Sequence, residues 1–391
     1  MNTTNEKRIY LDNAAATPLH PKVFEKMLPY LKEYYGNPSS IHSYGRKVKT
    51  AIEEAREVIA SFINAKPGEV YFTSGGTEAN NFPIFGIALT EREESGRSKI
   101  FTTQAEHLCV IEPFQQLEKN GFTAAYGKIN SDTSIDIKFY EDSLTPEFSF
   151  ISVIHANNET GCINDIKYLA KTAHSHNAYF HSDAVQSFGK IKIDVRELNI
   201  DSLSFCAHKI QGPKGIGAAY IKSGTPVSPM ILGGSQERNR RGGTENPMAI
   251  IGFAEAVKIA QSEMDDNFAH VSKLCGQFEK GISEIDKEGI KIIEPSAHLP
   301  YVVNVIFTSN YYNNDPESLL MSFDLNGVAI SNGAACSSGT LKPSRVILNT
   351  GLPLQDAQGA VRFSFGPQNT SEEINAALQI IRNISRKFRK F

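Results

Sequence analysis

Ser204-Phe205-Cys206-Ala207-His208-Lys209-Ile210-Gln211-Gly212-Pro213-Lys214-Gly215 is the stretch that decides the reading of this chain. An apolar run from Ile200 to Phe205, interrupted by Asp201 and two serines, leads into it. Such a run, bounded by glycine and proline, predicts a buried strand. A second strand is predicted immediately afterwards, from Gly217 to Ile221. Lys209 therefore falls at a turn between two buried strands, where packing alone rarely places a lysine. Two readings stay open on this stretch. A desolvated amine has a lowered pKa and becomes a nucleophile suited to Schiff-base chemistry with a carbonyl. A lysine at a strand end also snorkels to the surface.

Outward from that point, strands are predicted at 69–73, 99–103, 149–155, 178–182 and 203–206, with helices at 45–63, 78–90, 110–119 and 166–176. The first helix shows the clearest stripe, with Val48, Ala51, Ile52, Ala55, Val58, Ile59 and Phe62 on one face. Alternating strands and helices predict an α/β fold, a mainly parallel central sheet sandwiched by helices. A long helical region from 247 to 286 then leaves the sheet. The remainder mixes short strands (302–307, 360–364) with helices (317–325, 372–387), a smaller α+β C-terminal domain. The expected division is 15–262 for the large domain and 263–391 with 1–14 for the small one.

With 391 residues and 40% hydrophobic content, the chain can bury a core of that size. Its 40 basic and 43 acidic side chains leave a net charge of −3, no footprint for nucleic acid or a membrane surface. The polar start, Met1 to Lys7, is unlike the apolar core of a signal peptide, and no apolar run reaches bilayer length. The expectation is a cytoplasmic protein. Five widely scattered cysteines, Cys109, Cys162, Cys206, Cys275 and Cys336, argue against a disulfide framework or a tight metal cluster.

In open α/β sheets ligands bind beyond the carboxyl ends of the strands, so the residues there are the candidates. Thr73-Ser74-Gly75-Gly76-Thr77 opens a helix, where backbone N–H groups and the helix dipole suit a phosphate. Alone it reads equally as a simple turn or N-cap. Glu106-His107 follows the second strand, and a lone histidine is more often structural. Asn157-Asn158-Glu159 reads as a loop, and Asp183, with Gln186 three residues on, as an N-cap. Five polar strand ends on one edge, Lys209 included, imply a site. A phosphate cup, a histidine, a carboxylate and a Schiff-base lysine describe a pyridoxal phosphate pocket, in which the carboxylate keeps the pyridine nitrogen protonated.

These motifs resemble the class V branch of the fold type I pyridoxal phosphate enzymes and, more narrowly, the cysteine desulfurases of the NifS/IscS type. The resemblance runs in order through Leu11-Asp12-Asn13-Ala14-Ala15, Gly36-Asn37-Pro38-Ser39-Ser40, Gly75-Gly76-Thr77-Glu78, Glu106-His107, Asn157-Asn158-Glu159, His208-Lys209, Gly212-Pro213-Lys214-Gly215, Gly243-Thr244 and Arg362-Phe363-Ser364. It implies pyridoxal 5'-phosphate as cofactor, L-cysteine as substrate and a homodimer. Lys209 would hold the cofactor and shuttle the substrate α-proton. His107 would stack on the pyridine ring, Asp183 would pair with its nitrogen and Gln186 with its phenolic oxygen. Asn158 would sit between cofactor and substrate. Gly76, Thr77 and His208 would bind the phosphate, and Thr244 would reach the phosphate of the partner subunit. Arg362 would clamp the substrate carboxylate, which its planar fork suits. One position departs from the pattern: Cys206 stands where the family usually has a phosphate-binding serine, and a thiol is the weaker donor.

Cys336 lies among small residues in Gly333-Ala334-Ala335-Cys336-Ser337-Ser338-Gly339, whereas Cys109, Cys162 and Cys275 read as buried small hydrophobes. A thiol in a polar, glycine-bracketed loop suits a nucleophile that must reach one site and then another. The resemblance implies that Cys336 takes the substrate sulfur as a persulfide, leaving L-alanine, and passes it to an acceptor such as an iron–sulfur scaffold. Cys336 could there share a nascent cluster as a transient ligand. The competing readings are a selenocysteine lyase, a class V aminotransferase, or a non-catalytic interaction protein that kept the fold.

Overall fold

The computed structural model describes residues 8–333 and 342–390. The chain opens on a short strand, β1 (Ile9–Tyr10), and two helices, Pro21–Lys32 and Ser43–Phe62. The strands β2 (Val70–Thr73), β3 (Lys99–Thr103), β4 (Thr123–Gly127), β5 (Phe148–Ser152), β6 (Tyr179–Asp183), β7 (Ser202–Cys206) and β8 (Gly217–Ile221) then form one seven-stranded sheet. Its order is β2-β8-β7-β6-β5-β3-β4, and every pair is parallel except those made by β8.

Successive residues of a strand face opposite sides, and the packing shows it. Phe101, Ile151 and Leu203 join an apolar cluster with Val48, Ile52 and Ile59 of the helix Ser43–Phe62. Their neighbours Ile100 and Phe150 join a different cluster, with Phe82 and Ile87 of the helix Gly76–Ser95 and Val110 and Phe114 of the helix Leu108–Lys119. Both faces are therefore covered by helices, as a parallel sheet requires. The strand β4 was not expected from the sequence. Its Thr-Ala-Ala-Tyr-Gly has no apolar alternation, and it lies half-exposed at the sheet edge.

The helix Pro247–Ile285 joins two cores. Its first half, Ala249 to Val257, packs into the sheet cluster, and its second half, Val271 to Ile282, into another. That second core gathers β9 (Ile290–Ile292), β10 (Val302–Phe307) and β12 (Ala360–Ser364), an antiparallel sheet of order β12-β10-β9. The helix Ser371–Phe388 covers it, opened by a capping box from Thr370 and Glu373. β1 pairs in parallel with β11 (Val328–Ala329), so Ile9 and Leu11 belong to this core too. No helix among the described residues is long and apolar enough to cross a membrane.

Candidate active site

The carboxyl ends of β2, β3, β5, β6 and β7 bring the expected residues to one cavity of about 360 Å³. Gly76 and Thr77 follow β2, His107 follows β3, and Asn158 follows β5. Asp183 ends β6, with Gln186 in the turn beyond it. Cys206 ends β7, with His208 and Lys209 in the 3-10 turn after it. Arg362 enters from β12 of the second core. Thr244 is exposed in the loop before the helix Pro247–Ile285 and does not line the cavity. Cys336 lies outside the described residues; Ser331 and Gly333, at the described end of its segment, line the cavity.

Lys209 donates from Nζ to the carbonyls of Ala14 and Ala15 at 2.5 and 2.7 Å. No carboxylate among the described residues is hydrogen-bonded to it, and burial lowers its pKa, helped by the nearby Arg362. Asp183 is buried; its Oδ1 accepts from the N–H of Val185 and its Oδ2 from Asn80, each at 2.9 Å. Burial raises its pKa, opposed by those two donors and by the nearby His107 and Lys209. His107 caps the helix Leu108–Lys119, with Nδ1 accepting from the backbone N–H of Cys109 at 3.1 Å. Burial and the charges of Lys209, Arg362 and Arg345 lower its pKa, against Asp183, and favour the neutral ring.

The turn before the helix Gly76–Ser95 is tight for a physical reason. Gly75 has φ +156°, and a Cβ on Gly217 of β8 would stand 2.7 Å from the Gly75 carbonyl carbon. The turn can touch the strand only because Gly217 lacks a side chain. Cys206 packs beneath this turn, where burial pushes its thiol up to about 12. Arg362 donates to the Asn158 carbonyl at 3.0 Å and to Asp12 Oδ1 at 2.9 Å, while its Nε is buried without a hydrogen-bond partner among the described residues.

The class-V aminotransferase family model matches residues 9–377. This chain belongs to that family. Among curated relatives, the cysteine desulfurase IscS of Dictyoglomus turgidum is 44% identical over 388 residues, covering 98% of this chain and 96% of the relative. The mitochondrial cysteine desulfurase of Saccharomyces cerevisiae is 39% identical over 376 residues, covering 95% of this chain and 74% of the relative. Among solved structures, a NifS-like protein superimposes with a TM-score of 0.89 at 33% identity, covering 97% of this chain and all of that one. The family's enzymes depend on pyridoxal phosphate.

Three features of this cavity fit such a group. A lysine without an acidic hydrogen-bond partner among the described residues stands at one side. A glycine turn that opens a helix stands at another, with no side-chain cap among the described residues on its N–H groups. A buried carboxylate held by two N–H donors completes the set.

Sequence reasoning missed several residues here. Cys109, expected to be a buried hydrophobe, is only half-buried and lines the cavity, its Sγ 3.0 Å from His107 Nδ1. Cys162 and Cys275 are buried as expected. Glu106 is fully buried, bonded to Thr103 Oγ1 at 2.7 Å and the Ile154 N–H at 2.8 Å, and its pKa is raised to about 8 by burial. Lys190, buried behind Gln186, donates to its Oε1 at 3.2 Å, and burial beside Lys209 lowers its pKa to about 7. Glu106 lies in a motif that the resemblance did mark; Cys109 and Lys190 carry no local sequence signal.

Proposed function

We propose that the protein is a cysteine desulfurase that holds pyridoxal 5'-phosphate, takes sulfur from L-cysteine, releases L-alanine and passes the sulfur to an acceptor protein. The observation that carries this reading is the meeting of Lys209, Asp183 and the Gly75-Gly76-Thr77 turn around one cavity. The kinship with cysteine desulfurases supports it, as does a structure titled as SspA in complex with cysteine, which has a TM-score of 0.81 at 33% identity.

When bound, the cofactor supplies a conjugated carbonyl that bonds to amines and draws electrons from the substrate α-carbon. Lys209 would hold it and carry the α-proton on Nζ; the lowered pKa of the amine suits both tasks. Asp183 would hold a proton on the ring nitrogen, Gln186 would meet the phenolic oxygen, and His107 would lie on the ring and exchange protons. Gly76, Thr77, Cys206 and His208 would take the phosphate, with Thr244 reaching that of the second subunit in a homodimer. Arg362 and Asn158 would hold the substrate, Arg362 exchanging its Asp12 contact for the cysteine carboxylate. The Cys336 thiolate would attack the substrate sulfur; an S–S bond forms as the Cβ–S bond breaks.

We place the reaction in the cytoplasm, with the two domains divided at 15–262 and 263–391 plus 1–14. The acceptor would be an iron–sulfur scaffold, with which Cys336 would transiently share a nascent cluster as one of its ligands. Cys336→Ala is the test. Cofactor binding should persist while persulfide and sulfide production from L-cysteine fall to background; unchanged sulfur transfer would refute the assignment.

A further inference from the structure

Asp183 does not stand alone. Asn80, in the first turns of the helix Gly76–Ser95, donates from Nδ2 to Asp183 Oδ2 at 2.9 Å. Its Oδ1 lies 2.9 Å from Nε2 of His181, so that nitrogen must carry the proton. Nδ1 of His181 is then an acceptor, 2.9 Å from the Ser202 hydroxyl. The flipped amide of Asn80 would set its oxygen against the Asp183 carboxylate and the Gly76 carbonyl, so the direction of the whole chain is fixed. Phe150 stacks on the His181 ring at 6.1 Å and 19°. Asn80, His181 and Ser202 are each 0% exposed. Burial lowers the pKa of His181 to about 3, which keeps the ring in the neutral form the chain needs.

We infer that Asn80 and His181 are positioning residues of the cofactor site: the relay Ser202–His181–Asn80 holds the Asp183 carboxylate in place at the cavity wall. Asn80 also donates to the Gly76 carbonyl at 3.2 Å. One side chain thereby ties the carboxylate to the turn that faces the phosphate. A buried polar network has this effect only when every member is satisfied, and here each is. The inference rests on the reading of this cavity as a pyridoxal phosphate site.

Asp183 also faces Cys109 at 3.8 Å and feels His107, Lys209, Glu106 and Cys206. None of these is altered in the test. Asn80→Ala and His181→Leu are compared with His181→Gln, whose side-chain amide can replace the Nε2–H donor. Cofactor affinity is followed by absorbance, along with the pH at which acidification releases the cofactor. Loss of the Asn80 donor to the buried carboxylate, or of the His181 bond that orients it, is expected to weaken affinity about tenfold and to raise the release pH by about one unit in the first two variants. His181→Gln is expected to stay near wild type. In the cofactor-free wild-type protein, ¹⁵N chemical shifts should place the His181 proton on Nε2, a readout that needs no variant to fold.

Wild-type affinity and release pH in Asn80→Ala and His181→Leu would overturn the inference. So would equal losses in His181→Leu and His181→Gln, or a proton on Nδ1. A wild-type protein that takes up no pyridoxal phosphate overturns the reading of the cavity, and the inference with it.

Discussion

Glu106 shows how far burial can move a side chain next to the candidate site. With its folded pKa raised to about 8, it is protonated in the folded protein at neutral pH and ionised in the unfolded chain. Folding therefore takes up a proton between the ordinary glutamate pKa and about 8, and stability from this group falls as pH rises through that window. Glu106→Gln keeps an oxygen for Thr103 and Ile154 and removes the proton uptake. We predict that the variant gains on wild type by about 1.4 kcal/mol per pH unit between pH 5.5 and 7.5, read from urea midpoints. At this scale Lys209 was legible because a lysine between two buried strands has few structural excuses. Asn80 and His181 were not, since their meaning lies in bonds between β6 and a distant helix. Cys109 was misread because nothing in a local window tells a cavity wall from a core.

The element that positions the glycine turn depends on a buried ion pair. Glu237, Arg238 and Asn239 follow one another at φ +44°, +56° and +63°, a left-handed run that L residues avoid. Glu237 is held there by Arg56 of the helix Ser43–Phe62, at 2.7 and 2.8 Å, and by the Phe72 N–H of β2 at 2.9 Å. The same loop sends Arg241 to Glu78, the residue after Thr77, at 2.9 Å. Arg56→Ala leaves a carboxylate buried without its partner and is predicted to cost about 3–5 kcal/mol in chemical denaturation. Arg56→Lys, a point charge in place of a fork, should recover only part of that. Element existence was largely legible, because the strands β2, β3 and β5 to β8 are apolar or flanked by turn residues. The edge strand β4 was not, for want of alternation.

The whole molecule places its chemistry where two cores meet. Lys209, Asp183, His107 and Gly76 come from the ends of the large sheet, while Ala14, Ser331 and Arg362 come from segments tied to the second core. The sequence carried this arrangement only through the order of its motifs; the distance between Arg362 and β7 in the chain gives no local sign of their meeting. The most direct test of the account is borohydride reduction of the pyridoxal phosphate-loaded protein, followed by peptide mass spectrometry. The account predicts that the pyridoxyl mass appears on the peptide carrying Lys209 and disappears in Lys209→Ala. A label on any other lysine, Lys190 included, or none at all, would contradict it.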